Sequence, residues 1–319
     1  MATPTSRTPR SGLSRPAAGA AAPLRARRQM ARLVTAPEEW TRRKLQIALG
    51  LGLVIVLALI AGGIWSILAA LHTGDSATTH AVGPRGGSGI SAQDRLAQAP
   101  LPSVGLDAAQ PGDLSTGHTG TLRLPAATGQ GPAYVPTGFP HTPAGALAQL
   151  IAIDQTAIDP ASVTTAQQVI TAWAARGGPT ASTWSGVAAV TALLSAAGLP
   201  ADGSSGLAVT LAPSMGFIKG SIGADFVIPC VDFIITTTVT GPSGTQTERI
   251  AAADCQRMTW QTDPSTSSRT DDGTGTDAAS TPTGRWVIGA GAEPAPAPSV
   301  WPGTADSFQA GYEWLEVTR

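Results

Sequence analysis

From Leu45 to Leu71 the chain reads LQIALGLGLVIVLALIAGGIWSILAAL, 27 consecutive residues without a charge. At ~1.5 Å per residue a helix of that length extends about 40 Å, enough to cross the hydrocarbon core of a bilayer with tilt. Trp40 and Trp65 stand near its two ends, where amphipathic rings favour the boundary between water and lipid. Arg42, Arg43 and Lys44 abut its start, so the amino-terminal flank is expected in the cytoplasm and everything after Leu71 outside it. A cleavable signal peptide fits less well. Its apolar core is usually ~7 to 15 residues and its basic region short, whereas 44 residues precede this run.

The chain holds 20 basic and 21 acidic residues, but they are not mixed. Residues 1–44 carry ten Arg or Lys and two Glu, a net charge of +8, and the remainder carries −9. The larger part is therefore a poor surface for nucleic acid. The basic tail, with Pro, Ala, Ser and Thr and no apolar periodicity, reads as a disordered cytoplasmic segment that could touch anionic lipid or, weakly, DNA. Asn is absent and two Lys stand beside eighteen Arg, a bias that suggests a G+C-rich bacterial genome and disfavours a mitochondrial presequence.

Residues 72–138 are rich in Gly, Pro, Ser and Thr, with no sustained period, and read as a disordered linker. An extracytoplasmic domain is expected over 139–319. In GFPHTP, Thr142 can cap a helix that starts at Pro143 and carries Leu147, Leu150, Ile151, Asp154 and Ile158 at helical spacing. A second helix presents Ala166, Val169, Ile170 and Trp173, and a third presents Trp184, Val187, Val190 and Leu194 before Gly198. Strands follow at 207–211, 217–222, 225–240, 245–260 and 285–290. The expected fold is α+β, with about three helices on a curved antiparallel sheet of four or five strands. A Pro-rich strap, AEPAPAPSVWPG, and a final helix capped by Thr304, with Phe308, Tyr312 and Leu315 on one face, close the chain.

A turn centred between Pro242 and Ser243 pairs residues whose numbers sum to 485, and Cys230 with Cys255 is such a pair. At a non-hydrogen-bonded pair the Cα atoms are about 4.5 Å apart, within reach of a disulfide. The same register puts Val231, Phe233 and Ile235 with Ile250 and Ala252 on one face, and places Asp232 and Asp254 on opposite faces. An oxidising exterior favours the disulfide over two thiols, and the lack of C-x-x-C or a nearby His disfavours redox or zinc chemistry. Asp232 and Asp254 are each expected to pair locally with an Arg or a backbone amide.

Only four His occur, at 72, 80, 118 and 141, and no His follows His141. A Ser-His-Asp triad could draw only on His141, and Ser214 and Lys219 at five-residue spacing on a strand point to opposite faces. No nucleophile elbow, P-loop or dinucleotide fingerprint is present. The sequence thus predicts no enzyme, no cofactor and no metal.

The segments GFPHTPAGALAQLIAIDQTAID, CVDFIITTTVT, ADCQRMTW and RWVIGAGAEPAPAPSVWPG, taken with the Trp184 helix, resemble a family of actinobacterial single-span membrane proteins associated with conjugative and integrative elements. The resemblance covers about residues 138–316. It implies an outer domain similar to the NTF2-like domain of the VirB8 and TcpC conjugation components. A scaffold of a DNA-transfer or secretion apparatus would follow, held in the cell membrane and partnered by other membrane or envelope proteins. The competing expectation is a tethered small-ligand or sensor domain with a pocket lined by Trp173, Trp184 and Phe233.

Overall fold

The computed structural model describes residues 90–203, 206–241, 244–262 and 284–317. They belong to one compact unit. The basic tail 1–44, the apolar run 45–71 and the linker up to residue 89 lie outside the described residues. Among the described residues, no helix is long and apolar enough to cross a membrane.

Local signals start and stop each helix. The first, α1 (Ala92–Gln98), is capped by the Ser91 hydroxyl, which accepts from the Asp94 amide. After strand β1 (Thr121–Leu124) and a small ribbon of β2 (Gly129–Gln130) with β3 (Pro136–Thr137), Thr142 caps α2 (Pro143–Ile158) as expected, accepting from the Gly145 amide at 3.1 Å. Ser162 caps α3 (Val163–Trp173), and α4 (Ser185–Ala196) begins behind Trp184, whose side chain supplies no cap. The apolar stripes read from the sequence are buried, with Leu147, Leu150, Val169, Ile170, Trp173, Val190 and Leu194 at 1% exposure or less.

The strands then run in succession as β4 (Leu207–Ile222), β5 (Phe226–Gly241), β6 (Gly244–Cys255), β7 (Met258–Thr262) and β8 (Gly284–Ile288). A short α5 (Ala305–Gln309) precedes β9 (Glu313–Val317). The main sheet has the order β1-β9-β4-β5-β7-β8, with β6 also paired to β5, so seven strands take part. Every pairing in it is antiparallel except that of β1 with β9. The fold is α+β with a mostly antiparallel sheet. Register shifts between Pro213 and Met215 and between Ile218 and Gly220 interrupt β4 against β5, and such bulges bend a strand and sharpen its twist.

The β5–β6 register is the expected one: Cys230 faces Cys255, Phe233 faces Ala252 and Gly241 faces Gly244. The two cysteines form a disulfide, with Cα atoms 4.2 Å apart.

Three expectations need correction. The sheet is larger than four or five strands, because β1 and β9 come from segments read as linker and as helix. The final helix does begin after Thr304, but it ends at Gln309; Gly311, at φ +87°, turns the chain, and Trp314 and Leu315 lie in β9. The linker reading fails over 90–138. Its first part lies on the sheet face that the helices leave uncovered, where Ala97 joins Met215, Ile228, Cys230, Val300 and Tyr312 in a second core. Backbone bonds tie the Pro-rich strap to it, from Ala295 N to Ala97 O at 2.9 Å and from Trp301 N to Ala108 O at 2.6 Å. A segment that gains its burial by lying along another surface needs no periodic apolar face of its own, so pattern reading passes over it.

Candidate functional site

Three carboxyl groups meet between the helices and the sheet. Asp154 occupies a position in the apolar stripe of α2, so the helix that buries Leu147, Leu150 and Ile151 also carries this acid inward, to 2% exposure. Asp254 lies on β6 opposite Val231, on the helix-facing side of the sheet. Glu293 follows β8, and its Oε1 accepts from the Ser185 amide at 2.9 Å. That bond satisfies one of the orphan donors at the start of α4, the service Trp184 cannot perform as N-cap.

Together these groups line a cleft of about 110 Å³, whose other walls include Trp184, Leu211 and Phe233. No Lys, Arg or His lines it among the described residues. Burial, then the charges of Asp254 and Glu293, raises Asp154 well above the ordinary carboxyl range. Asp254 is pushed up to about 7, first by burial and next by Glu293, against an opposing hydrogen bond from Gln256 Nε2 to its Oδ1 at 3.1 Å. Burial also raises Glu293, with the Ser185 amide opposing. Asp154 Oδ2, Asp254 Oδ2 and Trp184 Nε1 are buried and have no hydrogen-bond partner among the described residues. Such atoms are uncommon in folded proteins, and each calls for a reason.

Chemically, the cleft offers an apolar bed with carboxyl groups able to donate while protonated and to accept once ionised. Among the described residues, no three His, Cys, Asp or Glu side chains converge closely enough to hold a metal ion. No known family model, curated protein or solved structure matches this chain. The site therefore rests on its own geometry.

Of the three aromatics expected in a pocket, Trp184 and Phe233 line the cleft. Trp173 does not. It is fully buried elsewhere, donating from Nε1 to Pro132 O at 2.9 Å with the Arg285 guanidinium 4.8 Å from its ring centre. Cys255, bonded to Cys230, forms part of the cleft wall.

His141 lies outside the cleft lining: its Nε2 is 2.9 Å from Asp225 Oδ1 and its ring stacks on Trp260 at 4.3 Å. Lys219 donates to Ala97 O and Ser214 to Ala212 O, so those two side chains serve separate backbone groups. Asp232 and Asp254 do fall on opposite faces; neither forms an ion pair with Arg among the described residues, and the backbone amide that acts on each, of Val300 on Asp232 and of Cys255 on Asp254, opposes the effect of burial. Asp232 is instead fully buried beneath the strap, and that burial raises its carboxyl well above the ordinary range. The triad Asp154, Asp254 and Glu293 was missed because strand register alone does not show what a facing helix brings. The available signal was Asp154 itself, an acid in an otherwise apolar stripe.

Proposed function

We propose that this protein is a membrane-tethered, extracytoplasmic small-ligand-binding domain, held by the apolar run 45–71 with its basic tail in the cytoplasm. The observation that carries the ligand-binding reading is the cleft, where apolar walls surround two buried carboxyl oxygens and an indole nitrogen that have no hydrogen-bond partner among the described residues. Ligand sites commonly combine an apolar lining with a few convergent polar groups of perturbed pKa. The opposed charges on the two sides of the uncharged run support the tethered orientation. The three consecutive helices α2 to α4, followed by the antiparallel strands β4 to β8 with a cleft between the layers, support assignment of the outer domain to the NTF2-like type.

The test is a screen of small-molecule classes against the full chain in detergent, read as a rise in thermal midpoint, since a ligand that binds only the native state stabilises it by mass action. Stabilisation lost when Phe233→Trp fills the cleft supports the reading. Absence of any stabilising compound across cationic, neutral and anionic sets overturns it. Protease added to intact cells is expected to digest the outer domain and leave the amino-terminal tail intact, and the reverse pattern would refute the orientation.

A second reading, assembly of a conjugation or secretion apparatus with other envelope proteins, draws on one feature of the sheet. Among the described residues strand β6 pairs only with β5, and residues 244–247 are exposed along it. An edge of this kind can accept a strand from a partner. Recovery of specific envelope proteins by crosslinking at Gln246, lost when Thr247→Pro blocks the edge, would favour this reading over the first.

A further inference from the structure

Resting on the ligand-binding reading, we infer that the cleft takes a small primary ammonium ion with an apolar body. The charge of the lining sets the sign of the ligand. Three carboxyls arrive from α2, from β6 and from the segment after β8, and no cationic side chain lines the cleft among the described residues. An anion entering this space would find no positive charge and would hold the carboxyls protonated, whereas a cation would offset the charge they take on as they ionise. Tyr312, which feels Asp254 across the sheet, brings no positive charge either.

Hydrogen bonding then selects the kind of cation. Asp154 is 2% exposed, and among the described residues neither its Oδ2 nor Asp254 Oδ2 has a hydrogen-bond partner. A primary ammonium carries three N–H donors and no acceptor, which suits a pair of buried carboxylate oxygens, whereas a quaternary ammonium has no donor to give them. Glu293 is already engaged by the Ser185 amide, so its part is mainly electrostatic. Trp184 contributes the aromatic group with the strongest affinity for cations, and its unpartnered Nε1 is a single donor against three carboxyls. Leu211 and Phe233 supply the apolar bed. The cleft, at about 110 Å³, is smaller than the roughly 150 Å³ cavity that holds benzene, so the part of the ligand it encloses is about five non-hydrogen atoms.

Occupation by a cation ionises carboxyls that are otherwise held protonated, so binding releases protons and strengthens as pH rises. With Asp254 pushed up to about 7, one released proton corresponds to a rise in affinity of about 30-fold between pH 5.5 and 8.

The experiment is calorimetric titration of the full chain in detergent micelles with n-butylammonium, 1-butanol and butyrate, three probes of similar size and different charge. Butylammonium is expected to bind at least tenfold more tightly than 1-butanol, with butyrate inert, and its affinity is expected to climb with pH. Asp154→Asn and Asp254→Asn, which keep shape and remove charge, should each lower that affinity at least tenfold at pH 8 while the thermal midpoint at that pH is no lower than that of the parent chain, since neither variant carries the buried charge that destabilises it. The pH series on the unaltered protein stands independently if a variant fails to fold. Equal or tighter binding of 1-butanol or butyrate, or an affinity for butylammonium that falls as pH rises from 5.5 to 8, overturns the ammonium assignment and leaves the ligand-binding reading in place. Absence of binding by all three overturns the assignment as well, and the broader compound screen then decides the reading beneath it.

Discussion

Replacing both cysteines, Cys230→Ala together with Cys255→Ala, removes the covalent link between β5 and β6 at the end of their ladder farthest from the turn. The linked residues are 25 apart in sequence. In the chain-entropy account, opening a loop of that size in the unfolded state removes about 3.5 kcal/mol of stability at 25 °C. Both sulfurs also lie in the second core, where Cys230 is 0% and Cys255 4% exposed, so their loss adds a small cavity cost in the same direction. For a domain of this size 1 kcal/mol corresponds to a shift of about 2–4 °C, which places the expected fall in thermal midpoint at about 7–14 °C.

The assay is circular dichroism melting of the full chain with and without reductant, preceded by a thiol count on the denatured, unreduced protein. The parent chain is expected to show no free thiol and to lose most of the same increment when reduced, while the double variant should be indifferent to reductant. A shift under about 3 °C, or a double variant that reductant destabilises as strongly as the parent, would refute the reasoning that the bond acts by restricting the unfolded chain.

The buried carboxyls predict a stability that declines as pH rises. Asp254 in the folded state holds its proton up to about 7 and the unfolded chain releases it near 4, so between those values the native state binds more protons and its stability decreases with pH. Urea unfolding at pH 5 and pH 8 checks this, with Asp254→Asn expected to flatten the difference; a parent chain more stable at pH 8 would contradict it. Trp173→Ala should cost about 3–5 kcal/mol, because it empties a fully buried site and abandons the bond to Pro132 O, and a loss below 1 kcal/mol in the same unfolding assay would argue against that packing. At Gly145 an added methyl would collide with the backbone carbonyl of Pro140, so Gly145→Ala is expected to destabilise the start of α2 far more than Gly223→Ala, whose site is open apart from its positive φ. Comparison of the two midpoints decides it.

Where structure is made by neighbours in sequence, it was legible. Thr142 with Pro143, and Gly198 with Pro200, mark helix ends through backbone groups only a few residues away. The β5–β6 register follows from one turn and the alternation of apolar residues, which is why the Cys230–Cys255 pair could be read from arithmetic alone. Asp154 was visible as an exception within its stripe, yet its partners were not. The segment from Ile90 to Gly138 gave no signal, since Leu96, Ala97 and Leu101 find their burial on the far face of a sheet formed more than a hundred residues later. Strand β9 was mistaken for helix because Phe308, Tyr312 and Leu315 satisfy a helical spacing, while its pairing with β1 and β4 depends on two strands distant in the chain.

The amino-acid sequence by itself determined the capped helices, the long hairpin and its crosslink, because each is a balance struck among nearby residues. Tertiary structure alone decided that Asp154, Asp254 and Glu293 share one cleft, that Trp173 lies outside it, and that a Pro-rich strap covers the back of the sheet. The physical reason is that the charge state of a buried acid and the burial of an irregular segment are set by whatever packs against them, and sequence distance carries almost no information about that.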